Sequence, residues 1–450
     1  MNATNRARSR FSRYIGPGVL TAVLLSTASG THGQTDARPR ISGPLPLEAA
    51  VDTTIKSNLA VEAMQFEADA ASQETRATRA MTRPQLSATT YLSSGSMPNI
   101  LGTPPGIGPA STLTVPGRTF ADQNLSLMVP LYTGGRLENL VKAASKRESA
   151  AMADVGTAQL DAVYLVKEIY YRALLAGEIV KASQARVDAA AALVEVTRAQ
   201  FEAGKGIQAS VARAMAELAD AKRTRANANN DQVKLLLDLR RAMGVRLDSD
   251  ITLTDALSMA PPAGDLDADL GEAERVRPEL LAARARVDSA KAQTGAAKGD
   301  RKPQLYGTAM ADAFAPRVGS KNIGGTIGLA MSIPLRDSGQ RAAEVRRMEA
   351  IARRSEAELR ELELRVATEV RQARLDVETA TENYRAAQAV VESSQAAYDV
   401  VVLRVENQKS ILVEQLDALA TLTQARVNLV QALFDHSIAM ARLQRAIGRR

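Results

Sequence analysis

The chain is an internal duplication, and the length of the repeat restricts its fold more than any other feature. The segment Val129-Pro130-Leu131-Tyr132-Thr133-Gly134-Gly135-Arg136 returns at 333–341, so that Pro130 matches Pro334, 204 positions later. A period this long indicates two copies of one architecture and not a solenoid. The sequence therefore predicts a first repeat over 45–244, a connecting segment over 245–271 and a second repeat over 272–448. The same spacing of 204 relates 201–205 to 405–409 and 241–244 to 445–448.

Each repeat has the same predicted order of elements: helix, strand, loop, strand, a very long helix and a last helix. The long stretches, 136–203 and 338–405, contain no proline and would each extend about 100 Å if helical. The connecting residues 247–271 are rich in Pro, Gly and Asp, which predicts irregular structure. Opening helices are predicted over 47–82 and 279–297. Strands are predicted at about 85–92, 120–131, 305–314 and 324–335.

The long helices show the spacing of a coiled coil. Apolar residues step by three and four along Leu359, Leu362, Val366, Val370 and Ala373. A globular domain does not accommodate helices of this length, since ordinary helices average 11–12 residues. A plain filamentous coiled coil would satisfy the helical pattern taken alone.

Two of the predicted strands, 120–131 and 324–335, alternate strictly between an apolar face and a small or polar face, and the other two alternate more weakly. Half-buried strands of soluble proteins alternate in the same way. However, no other apolar segment is large enough to cover these faces, and strands of 9–11 residues with this pattern also suit a lipid bilayer. Backbone in lipid requires a closed barrel, and four strands are too few to close one, so we expect a barrel shared among chains, twelve strands from three copies. The predicted lipid-facing residues are Leu125, Leu127, Val129, Ile327, Leu329, Met331 and Ile333.

Composition argues against an enzyme. The chain has no Cys and only two His, His32 and His436, which excludes thiol chemistry and disfavours His-based triads and metal centres. His436 lies in a helical seam and is expected to be structural. We expect no cofactor and no catalytic residues. The net charge of +7 falls to +3 without the first 30 residues, so nucleic acid is not an expected partner.

Residues 1–30 are predicted to be a secretory signal peptide. Four arginines precede a short apolar run, and Ala28-Ser29-Gly30 provides small residues for cleavage. The apolar run is too short for a transmembrane helix. The mature protein is therefore expected to be exported.

The order of elements resembles the TolC-like outer membrane factor family, the exit ducts of bacterial efflux and secretion systems. The resemblance rests on the duplication and on three segments, Leu45-Pro46-Leu47-Glu48-Ala49-Ala50, the 129–136 motif and Phe201-Glu202-Ala203-Gly204-Lys205-Gly206. It implies a mainly α fold with a small β part, internally duplicated. Long antiparallel coiled-coil helices would form a periplasmic α-barrel, and four strands per chain would enter a trimeric twelve-stranded transmembrane β-barrel.

The resemblance also implies a function and partners. The homotrimer would lie in the outer membrane lipid of a Gram-negative envelope. It would be a passive conduit of a tripartite efflux or type I secretion system, docked to a periplasmic adaptor protein and an inner membrane pump. The alternative is a periplasmic coiled-coil structural or adaptor protein without a membrane barrel. The duplicated strands distinguish the two, since an adaptor does not need apolar strand faces.

Two sets of site residues follow from the resemblance. Glu414 and Asp417, three residues apart on one helix face, match the acidic periplasmic gate of the family, although such pairs are also common on solvated helices. Arg213 stands at the position that corresponds to Asp417 in the first repeat, and we expect it near an acid of a neighbouring helix. The turns at the helix tips match the adaptor-docking sites, although simple helix–helix turns have the same composition. These tip residues are Gly204, Lys205, Gly206, Gln408, Lys409 and Ser410.

Overall fold

The computed structural model describes residues 38–93, 99–102, 112–115, 120–204, 206–259, 264–315, 322–406 and 412–450. The predicted signal peptide lies outside the described residues. So do Lys205 of the first tip and Gln408, Lys409 and Ser410 of the second.

Eight helices in the described residues form four pairs of equal length, one member in each repeat. The first two pairs have 11 and 22 residues, and the last two pairs have 67 and 36 residues. At about 1.5 Å per residue, the longest helices extend about 100 Å. The helices of the first repeat are α1 (Leu47–Ser57), α2 (Leu59–Ala80), α3 (Arg136–Glu202) and α4 (Gln208–Met243), and those of the second are α5 (Leu266–Val276), α6 (Pro278–Gly299), α7 (Gln340–Glu406) and α8 (Leu412–Ile447).

The long helices begin at left-handed turns encoded by the duplicated motif. Gly134 and Gly135 have φ of 65° and 86° before α3, and Ser338 and Gly339 have φ of 51° and 91° before α7. Glycine adopts this region without the steric cost that other residues incur. At Gly134 space is limiting as well, because a Cβ there would lie 2.6 Å from the Cβ of Lys302.

The long helices α3 and α7 connect two helical layers. Near the strands, helices pack in the order α2, α3, α6, α7; at the far end the order is α4, α3, α8, α7. The chain therefore reuses α3 and α7 in both layers and exchanges their partners halfway. None of the described helices has the combination of length and hydropathy needed to cross a membrane.

Two equivalent cores lie where the layers meet. Val166, Tyr170 and Leu239 are fully buried in the first, together with residues of α1. In the second, Val370 and Leu443 occupy the positions 204 residues later. The duplication therefore preserves the buried seam of each half.

Four strands form one antiparallel sheet in the order β2, β5, β7, β8. The main strands are β2 (Gln85–Ser93), β5 (Phe120–Tyr132), β7 (Gln304–Ala315) and β8 (Asn322–Ser332). Two small sheets accompany them. β1 (Ser42–Leu45) pairs in parallel with β6 (Asp250–Leu253), and β3 (Asn99–Gly102) pairs with β4 (Thr112–Val115).

The prediction of an irregular connecting segment holds for residues 254–259 and 264–265 and is wrong on either side of them. Residues 250–253 pair with the N-terminal strand, and α5 begins at Leu266 because the Asp265 side chain accepts a hydrogen bond from the Ala268 N–H. Ile251 of this segment is buried in the core formed by Val166, Tyr170 and Leu239, so the segment contributes to packing as well as linking the repeats.

Two predicted boundaries also need correction. The strand predicted over 324–335 ends at Ser332, two residues before Pro334, which has no N–H to donate to a ladder. The opening helix predicted over 47–82 is divided at Asn58, whose backbone is extended. The Asn58 side chain accepts from the N–H groups of Ala60 and Val61 and donates to the Ala242 carbonyl at 2.7 Å, so it caps α2 and ties it to α4.

Gly244→Ala should destabilise the fold more than Gly339→Ala. Both positions have positive φ, 73° and 91°, so each substitution carries a backbone cost of about 1–2 kcal/mol. A Cβ at Gly244 would also lie 1.9 Å from the Ser57 carbonyl oxygen, whereas Gly339 faces open space. Chemical denaturation of the two variants measures the difference; equal midpoints would contradict the close approach.

Candidate functional site

The large sheet separates its side chains into one apolar and one polar face. On the apolar face the strand register aligns Leu86 with Leu127, then with Ala309 and Ile327. Small residues of β7 lie between the larger ones of β5 and β8. In the isolated chain this face is uncovered: Ile327, Leu329 and Met331 are 90%, 72% and 66% exposed.

All of the predicted lipid-facing residues except Ile333 belong to strands of this surface. Leu125 is exposed, while Leu127 and Val129 are half-buried. Ile333 is exposed but follows the end of β8, so it is not part of the ladder. The surface is a contiguous apolar patch of a kind that soluble monomers rarely expose.

The opposite face is polar and internally hydrogen-bonded. The hydroxyls of Ser87 and Ser126 are 2.7 Å apart, and the Asn124 amide donates to the Asp312 carboxylate across β5 and β7. Tyr306 donates to the side-chain oxygen of Gln304 at 2.7 Å. One face therefore suits water and the other hydrocarbon, which is the division that a membrane sheet around a lumen requires.

The turn that connects β8 to α7 fixes the side chain of Asp337 by hydrogen bonds. The Asp337 carboxylate accepts from the N–H groups of Gly339 at 3.0 Å and Arg341 at 3.2 Å. Backbone hydrogen bonds from Arg341 and Gly339 lower the pKa of Asp337 below its ordinary value. The Asp337 carboxylate therefore caps the start of α7.

The predicted gate residues lie near the starts of α4 and α8. Glu414 and Asp417 are exposed on α8, and Arg213 is exposed on α4. Both α4 and α8 pack against α3. Among the described residues Arg213 forms no ion pair, so its predicted approach to an acid stays a prediction.

The first tip exposes apolar side chains around a tight turn. α3 ends at Glu202, Gly204 has φ of 66°, and a Cβ at Gly206 would lie 3.1 Å from the Phe201 nitrogen. Phe201 and Ile207 on either side of the turn are 44% and 67% exposed. The glycines therefore permit a compact turn that presents two large apolar residues.

Two polar clamps that the sequence did not predict lie where the two helical layers meet. The Tyr170 hydroxyl lies 2.9 Å from both the Leu45 carbonyl and the Asp255 carboxylate, which also accepts from the Leu47 N–H. Burial and Asp255 raise the pKa of Tyr170 above its ordinary value. This clamp joins α3 to the start of α1.

The second clamp occupies the corresponding place in the other repeat. Arg374, 204 residues after Tyr170, pairs with the buried Asp269 at 2.6 Å and donates to the Gly264 carbonyl. Alignment of the two repeats would have paired Tyr170 with Arg374. Their unlike chemistry hides the shared role of holding a flanking segment on a long helix.

The chain thus joins an amphipathic sheet to helices of about 100 Å. The sequence model of the family described as "outer membrane efflux protein" matches residues 50–245 and 270–449. The chain belongs to this outer membrane efflux protein family. No match was found among curated proteins.

Solved structures agree with this fold. The outer membrane channel OprN aligns with a TM-score of 0.75 at 20% identity, over 90% of each chain. The outer membrane channel CmeC of Campylobacter jejuni gives 0.75 at 16%, over 89% of this chain and 85% of that one. The open-state outer membrane channel MtrE of Neisseria gonorrhoeae gives 0.74 at 19%, over 90% and 89%.

The protein is therefore an outer membrane efflux channel with a periplasmic helical extension, and it is not an enzyme. The predicted family, the mainly helical duplicated fold and the location are confirmed. The alternative of a periplasmic coiled coil without a membrane sheet is set aside.

Leu329→Arg should impair membrane assembly, whereas Thr326→Arg should not. Leu329 lies on the apolar face, where an arginine in mid-bilayer costs about 2–4 kcal/mol. Thr326 lies on the polar face of the same strand and serves as the matched control. The fraction of each variant recovered in outer membranes measures the effect, and equal recovery would contradict the assignment of the faces.

Proposed function

We propose that three copies of the chain close one channel, with a twelve-stranded β-barrel in the outer membrane and a helical tunnel in the periplasm. The observation that carries the proposal is the pair of end strands of the sheet. β2 and β8 run in opposite directions, so β8 of one copy can pair antiparallel with β2 of the next. Repetition of that step closes a ring without an edge.

The end helices support the same association. α2 and α7 lie at opposite ends of the layer near the strands. Phe66 on α2 is 64% exposed, and Leu364 and Leu375 on α7 are 72% and 61% exposed. Packing of α7 against α2 of the next copy would cover these side chains.

Within this assembly the apolar sheet face contacts lipid through Leu125, Leu127, Val129, Ile327, Leu329 and Met331, with Ile333 at its border. Export would use residues 1–30 as a signal peptide. The mature chain would then comprise repeats 45–244 and 272–448 on either side of the connecting segment 245–271.

The far end of the tunnel would dock a periplasmic adaptor, which couples the channel to an inner membrane pump in a tripartite efflux or type I secretion system. Exposed Phe201 and Ile207 beside the first tip provide apolar anchors of the kind that dominate protein interfaces. The proposed docking turns are Gly204, Lys205 and Gly206, and Gln408, Lys409 and Ser410.

Glu414 and Asp417 would form the periplasmic gate. Three copies bring six carboxylates around one axis, and rings of acidic side chains favour cations. Arg213, on the equivalent helix of the first repeat, would lie near these acids and moderate their field.

Neutral replacements at the gate should weaken block by divalent cations. We expect the double variant Glu414→Gln, Asp417→Asn in planar bilayers to conduct while losing cation block, because the binding charges are removed. The double variant Asp231→Asn, Asp238→Asn removes two acids at the other end of α4 and should keep wild-type block.

The outcomes separate the gate from the channel. Wild-type protein without conductance would contradict the channel proposal. Normal conductance with unchanged block in the gate variant would contradict only the role of Glu414 and Asp417.

A further inference from the structure

Cationic residues lie at the same end of all four strands of the large sheet. Arg83 precedes β2 and Lys302 precedes β7, each with one proline between it and the strand. Arg136 follows β5 as the first residue of α3, and Arg336 follows β8. This is the end at which the sheet meets the helices, and therefore the periplasmic side of the membrane.

The acids at this level are already engaged by the chain itself. Asp300 pairs with Arg136 at 3.3 Å, and Asp337 accepts two backbone N–H groups at the start of α7. Glu138 accepts from the Thr133 hydroxyl at 3.2 Å. The local acids therefore leave most of the positive charge uncompensated.

Arg83, Lys302 and Arg336 remain without such a partner, and Arg301, the residue before Lys302, adds a fourth cation. All four are exposed, and in the part of the chain that the structure describes none of them forms an ion pair. We refer to these four residues as the basic belt. Charged side chains with long apolar stems can extend along an apolar surface and keep their charge in the polar layer beside it.

The basic belt borders the apolar face directly. Arg83 stands three residues before Leu86, and Lys302 stands three residues before Leu305, which is about 10 Å along an extended chain. Arg336 follows Leu335, which is 91% exposed. The cations thus lie at the depth where a bilayer changes from acyl chains to headgroups.

We propose that the basic belt binds the phosphate groups of anionic phospholipids in the periplasmic leaflet of the outer membrane. The inference rests on the proposed membrane sheet, and three copies would carry twelve such cations. Anionic headgroups attract Lys and Arg close to the surface, and guanidinium groups can bind phosphate through two hydrogen bonds. Binding would fix the depth of the barrel and hold the periplasmic tunnel upright.

A single fluorescent reporter makes the belt accessible to measurement. The chain has no Trp, so Tyr132→Trp introduces one indole at the periplasmic end of the apolar face, where Tyr132 is 51% exposed and opposite Leu305. The trimer would be reconstituted into phosphatidylcholine vesicles that contain either brominated phosphatidylcholine or brominated phosphatidylglycerol. Quenching by the two lipids gives their relative binding beside the reporter.

We expect phosphatidylglycerol to quench preferentially. Each belt cation in contact with lipid should contribute about fivefold to that preference. Removal of all four charges by Arg83→Gln, Arg301→Gln, Lys302→Gln and Arg336→Gln should bring the preference close to one. The matched control replaces four exposed cations of the long hairpins by glutamine and should keep the preference: Arg198, Lys222, Arg225 and Arg404.

The experiment distinguishes failure of the lipid-binding proposal from failure of the proposed membrane sheet. Equal quenching by both lipids in the unsubstituted reporter protein would overturn the belt. Absence of quenching by either lipid would contradict the membrane sheet, and thus the proposed function. A second measurement needs no belt substitution: rising salt should reduce the preference of the reporter protein through screening, and a salt-independent preference would also overturn the belt.

Discussion

The backbone hydrogen bonds of the sheet are the constraint on which the rest of the molecule depends. A strand at the end of a sheet has donors and acceptors that water can satisfy and that hydrocarbon cannot. This chain exposes an apolar face across a sheet whose ends are β2 and β8. A sheet of this kind is complete in a membrane only when copies of the chain pair end to end.

The duplication suits the proposed closure. Because the two repeats contain helices of equal length, they would supply nearly equivalent sectors of the tunnel wall, and both long helices reach both layers. The cores coincide at a spacing of 204, as with Val166 and Val370. The repeats diverge where they meet flanking segments, and there Tyr170 and Arg374 perform one task with different chemistry.

The sequence predicted the fold best where a local signal was strong. The starts of α3 and α7 were predictable because glycine-rich turns mark them, and the sheet faces were predictable because the strands alternate. The break at Asn58 was missed, because its cause is a side-chain cap combined with a hydrogen bond to α4. α5 was missed because Pro, Gly and Asp around it suggested loop, although Asp265 is its cap.

Among the residues of the candidate site, too, those with a local sequence pattern were predicted and those without one were not. Alternation identified Leu329 and Ile327 from the chain alone, whereas the clamp between Tyr170 and Asp255 joins residues 85 positions apart and has no local pattern. The basic belt combines residues at the ends of three strands, β2, β7 and β8, so it becomes visible only when the sheet order is known. The proposed gate roles of Glu414 and Asp417 require three copies around one axis, and a single chain does not show that axis.

Disulfide trapping between end strands tests the central claim most directly, because the chain has no Cys of its own. One cysteine would replace Thr89 in β2, and a second would replace Thr326, Gly328 or Ala330 in β8, in three separate proteins. Within one chain β2 and β8 are three strand spacings apart, about 14 Å, which is too far for a disulfide. On oxidation in the membrane, at least one of the three proteins should give linked species of two and three chains and none larger. Absence of linkage in all three, or a ladder that continues beyond three chains, would contradict the closed trimer.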